Sequence, residues 1–398
     1  MKLLEIIPTY KPAFLYGGAV SAVSLLCEAL VAENNIQVTV LSTTANGKAE
    51  LPEFSREPTL VDGVPVYYFR RWTKDHSQFS PGLLWWLWRN VKQYDTVHIH
   101  SWWNFSVLFS TMICILRGVK PILSPHGMLS PFTLTGRFKP LFHRLMGEKM
   151  LKKTVLHVTS NQEAKECLAL TPDLVYKDLP NFLDLDTLPL PIKKTDVDVS
   201  TKTQNKTFRL LFLSRLHQKK GIELLFNALA EVPFDWSLTM AGDGEADYIA
   251  QLKHLSRSLK INNKINWIGW VNTEQRLTAF EAADLFVLTS HNENFAISVI
   301  ESLVVGIPVL VSQHVGLSDY IMEKKLGWVC DTTIKSIQSA LTQAYFEEDE
   351  RKRIADAGPN QIRTDFARSV LAKRYINMYR EVNGLQIVKQ EKPIVSTV

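Results

Sequence analysis

The sequence predicts an α/β protein built from two doubly wound domains, each with a mainly parallel sheet. Three observations predict it. Short Val/Ile/Leu-rich runs alternate with helix-period patterns along the chain, as buried parallel strands and their crossover helices do. The alternation stops once, between Leu188 and Thr207, and then restarts. At 398 residues the chain is also too long for one ordinary core.

In the first half, strands are expected at Leu3–Ile7, Gln37–Leu41, Val66–Phe69, Thr96–His100, Pro121–Ser124 and Val155–Thr159, with a helix opening at Gly17-Gly18 and running to Ala32. After Leu188-Pro189-Leu190-Pro191, the polar stretch Lys193–Lys206 lacks helical periodicity and reads as a linker. Strands then recur at Leu210–Leu213, Ser237–Met240, Ile265–Ile268, Leu285–Leu288 and Pro308–Val311. The expected division is residues 1–190 as the first domain, 191–207 as linker, 208–365 as the second domain, and a polar tail over 384–398.

Composition excludes several classes. With 46% hydrophobic and 21% charged residues the chain is globular, and a net charge of +5 does not suggest a nucleic-acid partner. Cys27, Cys114, Cys167 and Cys330 are scattered, with no CxxC pair, and read as buried thiols. The start Met1–Pro8 is no signal peptide, because Glu5 interrupts a short apolar stretch. The longest mainly apolar run, Phe105 to Leu116, falls short of the roughly 20 residues of a spanning helix. A soluble cytoplasmic protein is the expectation.

The most informative stretch is Asn292 to Glu301. An apolar run ends at Leu288, a polar loop carries Glu293, and a helical run from Ile297 to Val305 carries Glu301 before Gly306 and Pro308 stop it. A loop meeting a helix N-terminus presents unpaired N–H groups and the positive end of the dipole, which favour a phosphate. An anion cradle flanked by two carboxylates fits a diphosphate carrying hydroxyl-rich groups on both sides. Ligands of open α/β sheets bind outside the carboxyl ends of strands, and the other candidates fall there too. Arg215 and Lys220 follow the strand Leu210–Leu213, with Lys219 adjacent, and two cations there suit a diphosphate leaving group. Gly242 sits in the turn Ala241–Glu245 after the next strand, and Gly17-Gly18 follows the first. His126 ends another strand in Ser124-Pro125-His126-Gly127, where it can bond a sugar hydroxyl. Taken singly, each also reads as an ordinary turn, a solvated basic loop or a structural histidine. His98 and His100 share one face of their strand; with no third ligand at metal spacing they read as packed, hydrogen-bonded side chains.

The segment Arg137–Lys153 differs in kind, holding six basic residues against one acid, Glu148, with Leu141, Phe142, Leu145, Met146 and Leu151 as its apolar component. Such a helix can lie on an anionic membrane surface, and Trp85, Trp86 and Trp88 can join it. The plainer expectation puts the apolar side of the helix and the tryptophans in the core.

Together, in this order, the motifs resemble those of the family-4 glycosyltransferases, retaining sugar transferases with the two-domain GT-B fold. The resemblance covers nearly the whole chain: Gly17-Gly18, Asp95 through His100, Ser124 through Gly127, Pro180 through Asp184, Arg215 through Gly221, and Glu293 to Glu301 with Gly306 through Val309 behind. It implies two Rossmann-like domains facing a central cleft, with the helix at about 366–382 crossing back onto the first. It implies that His126 and Glu293 contact the donor sugar, that Arg215 and Lys220 hold the diphosphate with the backbone near Phe295, Ala296 and Gly18, that Glu301 binds the ribose, and that Val271 lies beside the base. No metal or other cofactor is implied. Asp184-Leu185-Asp186 and Asp196-Val197-Asp198 have DxD spacing but fall at the linker. Asn294 and Ala296 stand where the family pattern carries glycine. Asn tolerates positive φ; Ala tolerates it poorly, so the Ala296 backbone is expected to be helical.

The expected function is transfer of a sugar from a nucleotide diphosphate sugar to an acceptor hydroxyl with retention. The acceptor is a saccharide or lipid-linked saccharide of surface polysaccharide or glycolipid assembly, given the basic, Trp-rich first half, and the enzyme can be peripheral at an anionic membrane surface. A sugar-nucleotide epimerase of the same fold and a catalytically silent nucleotide-sugar-binding protein are the alternatives.

Overall fold

The computed structural model describes residues 1–16, 18–33, 35–47, 49–51, 57–130, 133–134, 136–183, 185 and 207–384. The chain forms two compact units. The first holds Met1–Val158, Ala164–Leu183 and the chain from Arg368 onward, so the helix Arg368–Val382 belongs to it. The second holds Thr159–Glu163 and Asp184–Ala367. Thr159–Glu163 groups with the second unit although the expected first domain runs through residue 190. Side-chain bonds account for this: Asn294 Nδ2 donates to Thr159 Oγ1 at 2.9 Å, and Asn161 Nδ2 to Asp319 at 2.9 Å. Of the expected linker only Thr207 lies within the described residues, and of the expected tail only Gly384.

In the first unit the strands are β1 (Lys2–Ile6), β2 (Gln37–Thr43), β3 (Ala45–Asn46), β4 (Ala49–Glu50), β5 (Thr59–Val61), β6 (Val64–Phe69), β7 (Thr96–His100), β8 (Ile122–Ser124), β9 (Val155–Val158) and β10 (Tyr176–Asp178). Eight of them make one sheet in the order β10-β9-β8-β7-β1-β2-β6-β5, parallel except for the β5–β6 pair. Strand alternation sorts the two faces. Leu4, Ile6, Val97, Ile99, Leu123 and Leu156 enter a core with Leu87, Trp102 and Val107. On the opposite face the same strands carry Glu5, His98, His100, Ser124 and His157, all buried, and the helix Arg368–Val382 brings Tyr375 and Tyr379 onto that face.

The second unit has β11 (Phe208–Leu213), β12 (Trp236–Ala241), β13 (Ile265–Gly269), β14 (Leu285–Leu288), β15 (Val309–Ser312) and β16 (Gly327–Cys330) in one parallel sheet, ordered β13-β12-β11-β14-β15-β16. β11, β14 and β15 are buried on both faces, apart from Arg209 and the carboxyl end of β11, which explains their nearly unbroken apolar sequences. The chain winds outward through β12 and β13 and then returns to place β14 on the other side of β11. The winding direction therefore changes between β11 and β14. The four cysteines are free and buried, as expected.

Candidate active site

The carboxyl-end loops of the second sheet are tied to one another through the backbone. After β11, Ser214 N–H donates to Ala241 O at 3.1 Å and Leu216 N–H to Asp243 O at 2.8 Å; after β12, Gly242 N–H donates to Gly269 O at 2.7 Å. Gly242 has φ +136°, and a Cβ there would stand 1.9 Å from Ser214 O, so the turn requires glycine. Between β11 and β14, His291 N–H donates to Lys219 O at 2.7 Å, and Thr289 Oγ1 donates to Gly221 O at 3.0 Å. Gly221, with φ +61°, lets the loops approach, since a Cβ would lie 2.3 Å from Thr289 O.

This packing brings Lys220 and Glu293 together as an ion pair, both mostly buried. Glu293 is pinned from behind: its N–H donates to His314 O at 3.0 Å, and its carbonyl accepts from Gly316 N–H at 2.8 Å. Arg215 is exposed on the same loop as Lys220 and has no hydrogen-bond or ion-pair partner among the described residues.

The loop then enters the helix Ile297–Val304 through Ala296. Here the expectation of a helical Ala296 backbone is corrected: its φ is +67° and ψ +73°, in the left-handed region. Burial of Ala296 and of Phe295, whose ring meets Phe366 at 6.3 Å, holds the residue there against its local preference. Asn294 does not use the positive φ that Asn tolerates; its side chain is tied to Thr159 instead. Among the described residues no side-chain hydrogen bond caps the helix.

Glu301, inside that helix, is 8% exposed, and its Oε1 accepts from Arg276 Nη1 at 2.6 Å. Burial raises the Glu301 pKa, with Arg276 acting against the rise. Arg276 was not among the residues singled out in the sequence. It sits on the helix Thr273–Glu281, which starts with an Asn272/Gln275 capping box just after the buried Val271. The second unit thus gathers Arg215, Lys220, Gly242, Val271, Glu293, Asn294, Phe295, Ala296 and Glu301 on neighbouring loops and the helix they lead into.

His126 and Gly18 lie in the first unit. Gly18 is exposed and begins the helix Gly18–Val31; Gly17 lies outside the described residues, as do Asp184, Asp186, Asp196 and Asp198 of the DxD pairs. His126 and Gly127 have φ of +51° and +75°, and Met128 N–H closes the turn on Pro125 O at 3.1 Å. Positive φ at a residue other than glycine is uncommon and collects at functional sites. His126 Nε2 meets His100 Nδ1 at 3.0 Å.

The reading that His98 and His100 have no third companion is corrected. Glu5 is in register with His98 across β1 and β7, so a ligand-type atom from each of Glu5, His98 and His100 lies within 4.8 Å of the others. Sequence spacing could not show this, because the register of distant parallel strands makes the contact. The available signal was a carboxylate inside a buried apolar strand, which must find partners. Those partners are hydrogen bonds: His100 Nε2 at 2.6 Å and Tyr379 Oη at 3.1 Å from the carboxylate oxygens.

The basic segment Arg137–Lys153 also departs from the plainer expectation. Phe138–Phe142, a π-helical turn His143–Gly147 and Glu148–Leu151 follow one another. Phe138, Leu141, Leu145 and Met146 are exposed, while Met150 and Leu151 are buried. Trp85 is 63% and Trp88 40% exposed, so these two tryptophans are not in the core. Arg89 and Arg117 lie over their rings at 5.6 and 5.1 Å. Among the described residues no helix is long and apolar enough to cross a membrane.

Two family models match the chain: Glycosyltransferase Family 4 over residues 16–184 and Glycosyl transferases group 1 over residues 193–361. This chain belongs to the family-4 glycosyltransferases. An uncharacterized glycosyltransferase of Methanocaldococcus jannaschii is 24% identical to this glycosyltransferase, over 96% of this chain and 98% of the relative. Sucrose-phosphate synthase from Thermosynechococcus elongatus superposes with a TM-score of 0.71 at 16% identity, covering 96% of this chain and 99% of that one. Anabaena HepE, solved in complex with UDP-glucose, superposes with a TM-score of 0.69 at 18% identity, covering 96% and 100%. At these identities the solved structures speak to the fold, which is GT-B.

Proposed function

We propose that this glycosyltransferase moves a hexose from a nucleotide diphosphate sugar to an acceptor hydroxyl with retention of configuration, without a metal, in surface polysaccharide or glycolipid assembly. One observation carries the reading: Lys220 after β11 pairs with Glu293 after β14, with Arg215 on the same loop as Lys220, at the point where the second sheet reverses its winding. A diphosphate placed there competes with Glu293 for Lys220. Lys220 and Arg215 then neutralise the charge that grows on the leaving group. Glu293, released from Lys220, accepts from sugar hydroxyls. The left-handed Ala296 turns the chain into the helix Ile297–Val304, whose first N–H groups suit a phosphate oxygen. Glu301, with Oε1 engaged by Arg276, offers Oε2 to a ribose hydroxyl. His126 is the first unit's contact for the sugar.

The HepE complex with UDP-glucose supports a nucleotide sugar as the donor class. The exposed tryptophans and the basic segment of the first unit favour an acceptor at an anionic membrane surface. Incubation with a panel of radiolabelled nucleotide sugars and lipid-linked saccharide acceptors tests the proposal. Labelled product with the donor's anomeric configuration is expected. Epimerised donor, or binding without turnover, overturns it.

A further inference from the structure

The face of the first sheet opposite its core is polar, and the protons there can be placed atom by atom. The carbonyl of Leu179 only accepts, so His157 carries its proton on Nε2, 3.0 Å away. His157 is neutral, since burial draws its pKa down to about 3, and its Nδ1 accepts from Ser124 Oγ at 2.6 Å. A hydroxyl has one proton, so Ser124 Oγ accepts in turn from His98 Nε2–H, also at 2.6 Å.

The second anchor is Glu5. Burial alone would raise its pKa, but the neighbouring His98 and the hydrogen bond from His100 outweigh it and hold the carboxyl well below the usual range. A carboxylate only accepts. His100 therefore donates from Nε2 at 2.6 Å. Burial, reinforced by His98, lowers the His100 pKa to about 4, so the ring is neutral and its Nδ1 is an acceptor. That Nδ1 takes the proton of His126 Nε2 at 3.0 Å. The two rings lie 18° from parallel with centroids 5.3 Å apart. His126 is neutral as well, with burial the main cause. Its remaining ring atom, Nδ1, carries a lone pair and no proton. The backbone that carries this ring is left-handed at both His126 and Gly127.

We propose that Glu5 is a positioning residue that fixes His126, through His100, as a hydrogen-bond acceptor with its lone pair on Nδ1. The group His126 meets is then a donor, such as a sugar hydroxyl, and not a phosphate oxygen. Glu5 sets the direction of the whole chain, because a neutral imidazole pair joined by one hydrogen bond can run either way and the carboxylate permits only one. A glutamine at position 5 presents both a donor and an acceptor to His100 and removes that choice. That His126 contacts the sugar rests on the function proposed above; the tautomer does not.

The test uses the full chain with ring-15N histidine, the His126 signals being assigned by their absence in His126→Asn. The wild-type protein is expected to show His126 as one neutral tautomer protonated on Nε2. Glu5→Gln is expected to move His126 population to the Nδ1-protonated form. It should also lower kcat about tenfold while leaving the KM for the donor unchanged, as loss of an orienting hydrogen bond does. A wild-type His126 protonated on Nδ1 overturns the proposal, and so does a folded Glu5→Gln whose His126 spectrum matches wild type. If Glu5→Gln does not fold, the wild-type spectrum decides alone. The expected tautomer in a protein that transfers no sugar would uphold the role of Glu5 and sink the transferase reading instead.

Discussion

Arg276 Nη1 donates to Glu301 Oε1 at 2.6 Å, so one carboxylate oxygen is held by an arginine from the preceding helix and Oε2 is the one the ribose reading uses. The pairing orients the carboxylate and opposes the upward push of burial on its pKa. Glu301→Gln is therefore expected to weaken nucleoside diphosphate binding, by about 1.5–3 kcal/mol for a lost charge-assisted bond. Glu293→Gln is expected to reduce transfer while nucleoside diphosphate still binds. Calorimetric titration beside a transfer assay checks both, and the opposite pattern would show that the two glutamates have exchanged roles.

Lys220 and Glu293 form an ion pair that a diphosphate donor, bound as proposed, would open. Arg215→Ala and Lys220→Ala are each expected to lower turnover by roughly 10- to 100-fold or more, from about 1.5–3 kcal/mol per charge-assisted bond. Lys220→Ala also leaves Glu293 without its cation. Circular dichroism confirms that the variants fold. Wild-type turnover in both would remove the diphosphate from this loop.

Much of this was legible in the sequence because burial on both sides leaves a plain signature. Leu285–Leu288 appears in the structure with the bounds read from its apolar run, and Thr96–His100, which alternates Val and Ile with polar residues, also keeps its expected bounds. Strands without such a run escaped notice. Tyr176–Asp178 is a short, mostly exposed edge strand, and Gly327–Cys330 opens on a glycine whose added Cβ would lie 2.1 Å from Val309 O. The Lys220–Glu293 pairing follows from neighbouring strands, so reading candidates at strand ends could find it. Arg276 and Glu5 act through packing between distant segments, which no local pattern encodes. Ala296 shows the limit of propensity: Ala disfavours the left-handed region, yet the surrounding burial imposes it.

The polar face of the first unit predicts loss of stability in acid. His100 and His157 are drawn from 6.5 down to about 4 and about 3, chiefly by burial. With folded values below the unfolded one, their contribution is fully present above about pH 6.5 and is lost as pH falls toward the folded values. Glu5, depressed from 4.5, adds a further loss below about pH 4.5. The urea midpoint, followed by far-UV circular dichroism, is expected to fall steadily from about pH 7 to about pH 4. A flat midpoint across that range would mean the histidines titrate as they do in the unfolded chain.

The proposal that no metal is needed rests on the cations after β11. In the proposed site Arg215 and Lys220 supply positive charge to the leaving group, while Glu293 and Glu301 are each engaged by a basic side chain, Lys220 and Arg276. Transfer is expected to survive excess chelator unchanged. Loss of activity that magnesium or manganese restores would identify a metal that assists the diphosphate.

The last prediction is peripheral membrane binding by the first unit. The segment Arg137–Lys153 carries six basic residues against one acid, and Phe138, Leu141, Leu145 and Met146 are exposed among them. Each basic residue near an anionic surface contributes roughly 1 kcal/mol, within a Debye length of about 8 Å at physiological salt. Trp85 and Trp88, exposed elsewhere on the unit, have the amphipathic rings that settle at headgroup level. Binding to anionic vesicles is therefore expected to be strong at low salt and to weaken as salt rises, with an apolar remainder that salt does not remove. Co-sedimentation with anionic and neutral vesicles across a salt series separates the terms. Trp85→Ser with Trp88→Ser tests the aromatic part, and replacing Lys149, Lys152 and Lys153 with glutamine tests the charge. Equal, negligible binding to both vesicle types would leave the exposed aromatic and basic residues without this role and turn the acceptor toward a soluble saccharide.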